Sequence, residues 1–581
     1  MGKRGKQIRK TPRRPASQEA GLSLPLPSLF DIPATYVLLF GIACIIIYWS
    51  TLGAGFLTWD DDLNITINRT ILTRDFLEAW TRPHYGYYMP LTASAWILLS
   101  GSGPPPLNPL PYHLANLLLH FVNSLLVFNL LRLLLTRLGK KDEASAIAPA
   151  ALAGALVFCL HPLQVEPVCW ATGLRDLLSA TFALAATIWY VRSSSPRQYG
   201  VSAACFLCAL LCKPSVVALP LGLFVLNRYF SSVRLIDDVK RLGLFLLASL
   251  PIMVVTKIQE ADWKFTHYVP PIPLRPLVFL DALGFYVAKF FWPFNLAANY
   301  SRTAEHVFSS SALYVTIPVV IVFCLAVALL SRRISRGIAG GVLFGAAFLL
   351  PVSGIIPFAY QSISTVADRY MYLPMVGLGC AVSCAIVRLR TQPLRPLISL
   401  FFGLLLICSA IRAPVWQNDT AFYTAWVHDN PANDRGYIGL GTVAVEELRL
   451  QDAENYFRRA IAINPLNPVS ITKLGFVLLQ QNRAAEAVSL ILPAVNSSEF
   501  MEKNWTKFGP MAMLYFAAGI AQVQTGDIKN GYLSYCQSLQ LFPENAGARK
   551  KISEAKAMLE ARGETVEPCP QDVAGADAGE L

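Results

Sequence analysis

A succession of long apolar runs constrains this chain more than any other feature. They fill much of the chain from Ala34 to Arg412, with longer breaks only at 53–111 and 258–311. A run of about 20 apolar residues is long enough to cross a bilayer as a helix. Runs fall near 34–52, 112–135, 147–163, 174–191, 199–213, 214–230, 241–257, 312–331, 338–357, 371–388 and 394–412. They predict about eleven spans. Segment 276–296 carries Asp281, Lys289, Trp292 and Pro293, and reads as a re-entrant or interfacial helix rather than a crossing.

Composition agrees with this reading. Of 581 residues, 54% are hydrophobic and 15% charged, where a soluble chain carries about 25% charge. The expected fold is all-α: a polytopic membrane helix bundle followed by a second helical domain. The net charge of +12 comes from Lys and Arg clustered at the ends of the runs. That placement sets membrane orientation and argues against a nucleic-acid partner. Residues 1–33 read as a basic cytoplasmic N-terminus before a retained anchor. The basic loops 137–141, 192–197, 228–241, 332–336 and 388–395 then share its side. Most of the twelve cysteines lie inside apolar runs, with no metal-ligand spacing along the sequence. Cys536 and Cys569 lie outside the runs, and a disulfide between them is left open.

With this orientation, the unusual polar groups gather on the other, outer side. Asp60-Asp61-Asp62 follows the first run, and His161 and Glu166 end the third. Arg175-Asp176 opens the fourth, Lys213 stands between the fifth and sixth, and Asp368-Arg369 precedes the tenth. Ionisable residues at membrane depth are candidates for function. A sugar carried on a lipid phosphate leaves an anion behind, which Arg175, Lys213 and Arg369 are placed to hold. The acceptor hydroxyl must lose a proton, which an Asp of the first outer loop would take. In-line attack inverts the anomeric centre.

Each residue also has a plainer reading. Asp368-Arg369 and Arg175-Asp176 fit internal ion pairs, Lys213 a snorkelling lysine, His161 a buried satisfied imidazole, and Glu166 a helix cap. The Asp triplet suits a divalent ion in principle, but no partner cluster completes a shell, so no metal is assigned and the cofactor is left unknown. The aromatics Tyr85, Tyr87 and Tyr88 fit either sugar stacking or an interfacial belt.

These residues carry a resemblance. Trp59-Asp60-Asp61, Pro111 to His120 with Asn123 to Leu126, and His161-Pro-Leu-Gln-Val-Glu166 are three of its motifs. The others are Trp170, Arg175-Asp176-Leu-Leu-Ser179, Lys213-Pro and Ala367-Asp-Arg-Tyr-Met-Tyr-Leu-Pro374. Across roughly 50–550 the chain resembles the C-type glycosyltransferase superfamily, and within it the transmembrane-and-TPR protein O-mannosyltransferases and their bacterial relatives. The resemblance implies an eleven-span enzyme that uses a polyprenyl-phosphate sugar. It implies Asp60, with Asp61 beside it, as the catalytic carboxylates. On the reading of the outer-face charges, Arg175, Lys213 and Arg369 would hold the donor phosphate, supported by His161, Glu166, Asp176 and Asp368. Two positions depart from the pattern. Met89-Pro90-Leu91 stands where the family often has Arg-Pro-Leu. Gly173-Leu174-Arg175-Asp176 shifts an arginine by one place.

After Arg412 the composition changes. Residues 34–412 are read as the membrane domain, 413–435 as a linker and 436–550 as a tetratricopeptide (TPR) domain. The last shows a period near 34 residues, with repeats near 436–468, 470–496 and 512–545. The small residues Gly439, Gly441, Gly475, Ala518 and Gly519 permit close helix pairing. Three repeats are near the minimum for a stable solenoid. The tail 563–581 reads as disordered.

The expected function is transfer of a sugar, mannose among the candidates, from a polyprenyl-phosphate donor to a protein Ser/Thr hydroxyl on the periplasmic side of a bacterial inner membrane. Membrane lipid and a protein acceptor or partner at the repeats are the implied associates. The alternatives are the same chemistry on a lipid or polysaccharide, and a non-catalytic scaffold displaying repeats.

Overall fold

The computed structural model describes residues 28, 31–83, 87–139, 141–231, 234–261, 268–388, 395–504, 508–565 and 569. The basic stretch ahead of Ser28, Tyr85 and most of the tail beyond 565 lie outside the described residues. So does much of the expected basic loop at 388–395. The described chain is all-helical.

In the membrane half the main helices are α1 (Ala34–Tyr48), α2 (Pro90–Leu99), α3 (Leu110–Leu138), α4 (Ala144–Leu160) and α5 (Leu174–Arg192). They continue with α6 (Pro196–Cys212), α7 (Leu219–Phe230), α8 (Leu235–Ala261), α9 (Arg275–Phe291) and α10 (Ala312–Arg333). The last three are α11 (Gly337–Ala347), α12 (Pro374–Arg388) and α13 (Arg395–Arg412). Among the described residues, five helical segments are long and apolar enough to cross a bilayer: Ala34–Gly53, Leu110–Leu138, Leu235–Ile258, Ala312–Arg333 and Pro396–Trp416. Ala144–Leu160 with Pro162–Cys169, bent by 54°, makes a sixth. Three other expected spans are shorter apolar helices, Pro214–Phe230, Gly337–Ala347 and Pro374–Arg388. Each of these three abuts one of the polar or basic stretches read from the sequence, which shortens the apolar run. Segment 276–296 contains α9, whose Asp281 is fully buried.

One helix organises the bundle. On α3, His113, Asn116, His120 and Asn123 recur at helical spacing and form a single buried polar stripe, while Leu114, Leu118 and Val122 on other faces are exposed. Backbone that leaves helical pairing inside a bilayer needs partners from side chains. The stripe supplies them. Asn116 Nδ2 donates to the carbonyls of Trp170 (2.7 Å) and Val168 (3.3 Å). Asn123 Nδ2 donates to the Leu177 carbonyl (3.0 Å), and His113 Nε2 meets the Gly55 carbonyl (3.2 Å). The broken segments that carry the candidate residues are therefore pinned to a continuous rod.

Close helix approach comes from small residues. A Cβ at Gly154 of α4 would stand 2.2 Å from the Gly379 carbonyl oxygen of α12, so only glycine allows that contact. The basic ends of several helices gather at one end of the bundle. Arg388 pairs with Glu143 at 3.0 Å and donates to the Leu138 carbonyl, and Arg137 donates to the Val191 carbonyl. The opposite end holds the Asp60 loop and the start of the second domain.

That domain begins earlier than the repeat period indicates. Segment 413–435 contains the helix α14 (Asp419–Asp429), packed against the Asp60 loop. The pairs that follow are α15 (Asp434–Glu446) with α16 (Leu450–Ile463), α17 (Pro468–Gln480) with α18 (Ala484–Val495), and α19 (Phe508–Gln524) with α20 (Ile528–Leu541). A closing helix, α21 (Ala546–Glu560), extends the solenoid past 550. Asparagine side chains cap successive pairs: Asn433 accepts from the Arg435 N–H (2.8 Å) and Asn467 from Val469 (3.0 Å). Cys569 is disulfide-bonded to Cys536 of α20, with a Cα–Cα distance of 5.5 Å.

Candidate active site

The Asp triplet divides into three unlike groups. Asp61 is fully buried and its carboxylate is saturated. It accepts from the Leu57 N–H (2.9 Å), the Thr172 N–H (2.9 Å) and the Thr172 hydroxyl (2.5 Å). Burial pushes this carboxyl up to about 7, and the hydrogen bonds from Leu57 and Thr172 pull the other way. Asp61 therefore ties the loop to the 171–173 turn. Asp62 accepts from the Leu63 N–H (2.8 Å) and starts the next turn. Asp60 is half-buried, and its side chain has no hydrogen-bond or ion-pair partner among the described residues. Its φ of 67° places it in the left-handed region, which after glycine Asn and Asp enter most readily. The hydrogen bonds from Asn64 N (3.0 Å) and Nδ2 (2.7 Å) to the Asp60 carbonyl hold that conformation.

The cations meet this loop through Trp170, which is wholly buried. Its indole N–H donates to the Trp59 carbonyl at 3.0 Å. The guanidinium carbons of Arg175 and Arg369 lie 5.1 and 5.5 Å from its ring centroid. Such contacts favour a cation by about 0.5–2 kcal/mol, the larger value when water is excluded. Arg369 also packs 4.4 Å from the Tyr360 ring.

The three cations are held differently. Arg369 is locked: Nη1 donates to Glu166 Oε1 (2.5 Å) and its backbone N–H to Glu166 Oε2 (2.9 Å), with both side chains buried. Lys213 donates to Asp176 Oδ1. Arg175 is the loosest, its Nε 3.8 Å from Asp176 Oδ2, and neither atom has a hydrogen-bond partner in the described structure. Buried polar atoms without partners leave hydrogen-bonding capacity that a ligand's polar groups could use. Asp176, Lys213, Arg369, Tyr370 and Tyr372 line one cleft. A Cβ at Gly173 would stand 2.2 Å from the Pro167 carbonyl oxygen, so glycine permits the tight turn that presents Arg175 and Asp176.

The supporting residues sort as follows. His161 caps the turn after α4: Nδ1 accepts from Leu163 N–H (3.2 Å) while Nε2 meets the Phe290 carbonyl (3.0 Å). Asp368 accepts from the Tyr300 hydroxyl at 2.6 Å. Burial, reinforced by Glu166, pushes the Asp368 carboxyl up to about 7. Three residues that the motifs did not single out hold this turn. Tyr286 donates its hydroxyl to the Ala367 carbonyl (3.2 Å) and accepts from the Ala367 N–H (3.0 Å). The Arg302 carbonyl accepts from both the N–H (2.8 Å) and the hydroxyl (2.7 Å) of Thr365. Arg302 is itself gripped by Asp281 through two bonds of 2.6 Å. The sequence signal for the last pair was an aspartate inside an apolar helix.

The second domain adjoins this site. Asp419 of α14 accepts from the N–H (2.9 Å) and hydroxyl (3.1 Å) of Thr58, and Tyr423 meets the same hydroxyl at 3.0 Å. Trp426 packs edge-on against Trp59, with centroids 5.0 Å apart.

Fold and site together define a polytopic helical membrane protein with buried acid–base pairs next to a TPR-type solenoid. The chain is similar to proteins named protein O-mannosyl-transferase. These include TMTC3 of Mus musculus, 23% identical over 505 residues, covering 76% of this chain and 52% of that protein. TMTC3 of Homo sapiens is 24% identical over 511 residues with the same coverage. F38B6.6 of Caenorhabditis elegans is 24% identical over 447 residues, covering 72% and 61%. The resemblance carried by the sequence motifs thus holds over most of the chain, which spans about half the length of the first two relatives. No family model matches. Among solved structures, the crystal structure of APC/C hetero-tetramer Cut9-Hcn1 aligns at 14% identity over 84% of this chain and 92% of that one. Its TM-score of 0.23 carries no argument.

Proposed function

We propose that this chain is a membrane glycosyltransferase. It moves a sugar, by its relatives mannose, from a polyprenyl-phosphate donor to a protein Ser/Thr hydroxyl at the outer face of a bacterial inner membrane. The observation that carries the reading is the Trp170 junction, which brings the Asp60 loop and two cations onto one side chain. Asp60 takes the proton of the acceptor hydroxyl, being the carboxylate of the triplet with no partner to satisfy. The hydroxyl oxygen attacks the anomeric carbon, the bond to the phosphate oxygen breaks with inversion, and the departing phosphate gains charge. Arg175 and Lys213 receive that charge, with Arg369 fixed beside them.

Gathering of basic helix ends at the far end of the bundle favours an outward-facing site. The Cys536–Cys569 bond favours an oxidising compartment for the repeats. Repeats docked at the Asp60 loop are placed to offer a polypeptide acceptor. The test is transfer from a mannosyl polyprenyl-phosphate to acceptor protein in membranes bearing the parent chain or Asp60→Asn. Loss of product in the variant supports the reading, and transfer at the parent rate overturns it.

A further inference from the structure

A second cluster lies inside the bundle, away from the cations. Cys44 on α1, His120 on α3 and Cys159 on α4 each offer a ligand atom, and these atoms lie within 4.8 Å of one another. All three residues are buried, with exposures of 2%, 0% and 0%. Separations of 76 and 39 positions, read from the residue numbers, hid the cluster from any spacing rule.

We propose that Cys44, His120 and Cys159 bind a thiophilic divalent cation, zinc by ligand set. The two sulfurs are 3.9 Å apart. Two thiolates at ~2.3 Å from a tetrahedral zinc stand about 3.8 Å from each other. That separation is far from a disulfide's, which is about 2.05 Å.

Charge supports the same ion. Two thiolates and a neutral imidazole around a dication sum to zero, so the filled site adds no net charge to an apolar interior. Each thiol gives its proton to solvent as the ion binds. A monovalent ion with the same ligands would leave an unbalanced negative charge.

An independent observation supports a ligand here. The Tyr48 hydroxyl is completely buried and has no hydrogen-bond partner among the described residues. Its electrostatic neighbours are Cys169, Cys159, Cys44 and Tyr372, two of them in the cluster, and its ring packs edge-on to His120 at 5.5 Å. A cation there, or a water on its fourth position, would satisfy that oxygen. The imidazole would give up one hydrogen bond to serve as a ligand. Nδ1 now meets the Tyr372 hydroxyl (2.9 Å), but that hydroxyl also accepts from Asn123 Nδ2 (3.1 Å) and so keeps a partner. Nε2 meets the Cys159 carbonyl (3.2 Å), the kind of second contact that orients a ligating histidine. Tyr372 joins this cluster to the turn that carries Asp368 and Arg369. An ion would thus clamp α1, α3 and α4 directly beneath that turn.

The test uses the full chain purified in detergent, with zinc measured by elemental mass spectrometry. Zinc should be near one per chain in the parent and in Cys380→Ser, a buried cysteine outside the cluster. It should fall about tenfold or more in the Cys44→Ser/Cys159→Ser double variant. Cobalt(II) loading of the metal-stripped parent should give thiolate charge-transfer absorption, absent from the double variant. If the double variant does not fold, the parent alone decides. Denaturation without chelator should then leave Cys44 and Cys159 less readily alkylated than denaturation with it. A parent without zinc that takes up no cobalt, zinc unchanged in the double variant, equal alkylation, or a Cys44–Cys159 disulfide in the isolated protein would each overturn the proposal.

Discussion

The indole N–H of Trp170 donates to the carbonyl oxygen of Trp59 at 3.0 Å, one residue before Asp60. The face of the same ring carries Arg175 and Arg369. One buried aromatic therefore fixes the distance between the acidic loop and the basic cleft. Trp170→Leu removes both the donor and the platform. It should lower transfer at least tenfold and cost about 3–5 kcal/mol of stability as a large-to-small change in the core. Trp170→Phe keeps most of the platform and leaves one carbonyl unpaired, at about 1–3 kcal/mol. Thermal melting and sugar transfer measured together separate the two.

Asp60 and Asp61 should behave oppositely. Asp60→Asn should reduce transfer by about 10²–10⁴-fold, the usual worth of a general base. Its melting temperature should stay close to the parent's, because asparagine tolerates a positive φ well. Asp61→Ala leaves the N–H groups of Leu57 and Thr172 without their acceptor. It should lose several kcal/mol, at about 1–3 kcal/mol for each buried group left unpaired.

A similar contrast separates the arginines. Arg369→Ala strands the buried Glu166 carboxylate and should destabilise the chain by about 3–5 kcal/mol. Arg175→Ala breaks no tight pair. It should leave melting nearly unchanged while weakening binding of a polyprenyl-phosphate sugar, read by titration of the donor.

The raised carboxyls set a pH dependence. Asp61 and Asp368 titrate near 4 when unfolded but near 7 in the folded chain. Between these values the folded state binds more protons than the unfolded state. Stability therefore falls as pH rises from about 4 to about 7, then levels off. The slope is of the order of 1.4 kcal/mol per pH unit for each group. Melting in detergent across this range should show it, and Asp61→Asn should remove part of the slope.

The Cys536–Cys569 bond closes the last repeat pair. Cys536→Ser should cost about 2–4 kcal/mol in that part of the solenoid. It should also expose α20 and α21 to proteolysis before the earlier pairs. Alkylation of the unreduced parent should spare both cysteines.

Much of the fold was legible because its signals are local. Apolar runs give spans, and small residues at the 34-residue period give paired helices. Lys213, Arg369, Glu166 and Asp176 were all visible as charges beside apolar runs; Asp176, Lys213 and Arg369 line one cleft, and Glu166 holds Arg369 in it. Their pairing was not visible: Glu166 chooses Arg369 across 203 positions. The neighbours Asp60, Asp61 and Asp62 also look alike in sequence. Only the backbone turn, which sends Asp61 inward to Thr172 and leaves Asp60 free, makes them unlike. The helix inside segment 413–435 is hidden for a related reason. α14 buries its aromatics against Trp59, a partner more than 350 residues away that no local pattern reveals.

The contact of Thr58 with Asp419 and Tyr423 has a practical result for anyone re-engineering the repeats. A graft that joins foreign helices at Arg412 would strip away the aromatic shelf beneath Trp59 and slacken the acidic loop, whatever cargo the new helices carried. A seam placed after Asp429 keeps the shelf in place, so chimeras cut there would report acceptor choice with the loop still seated.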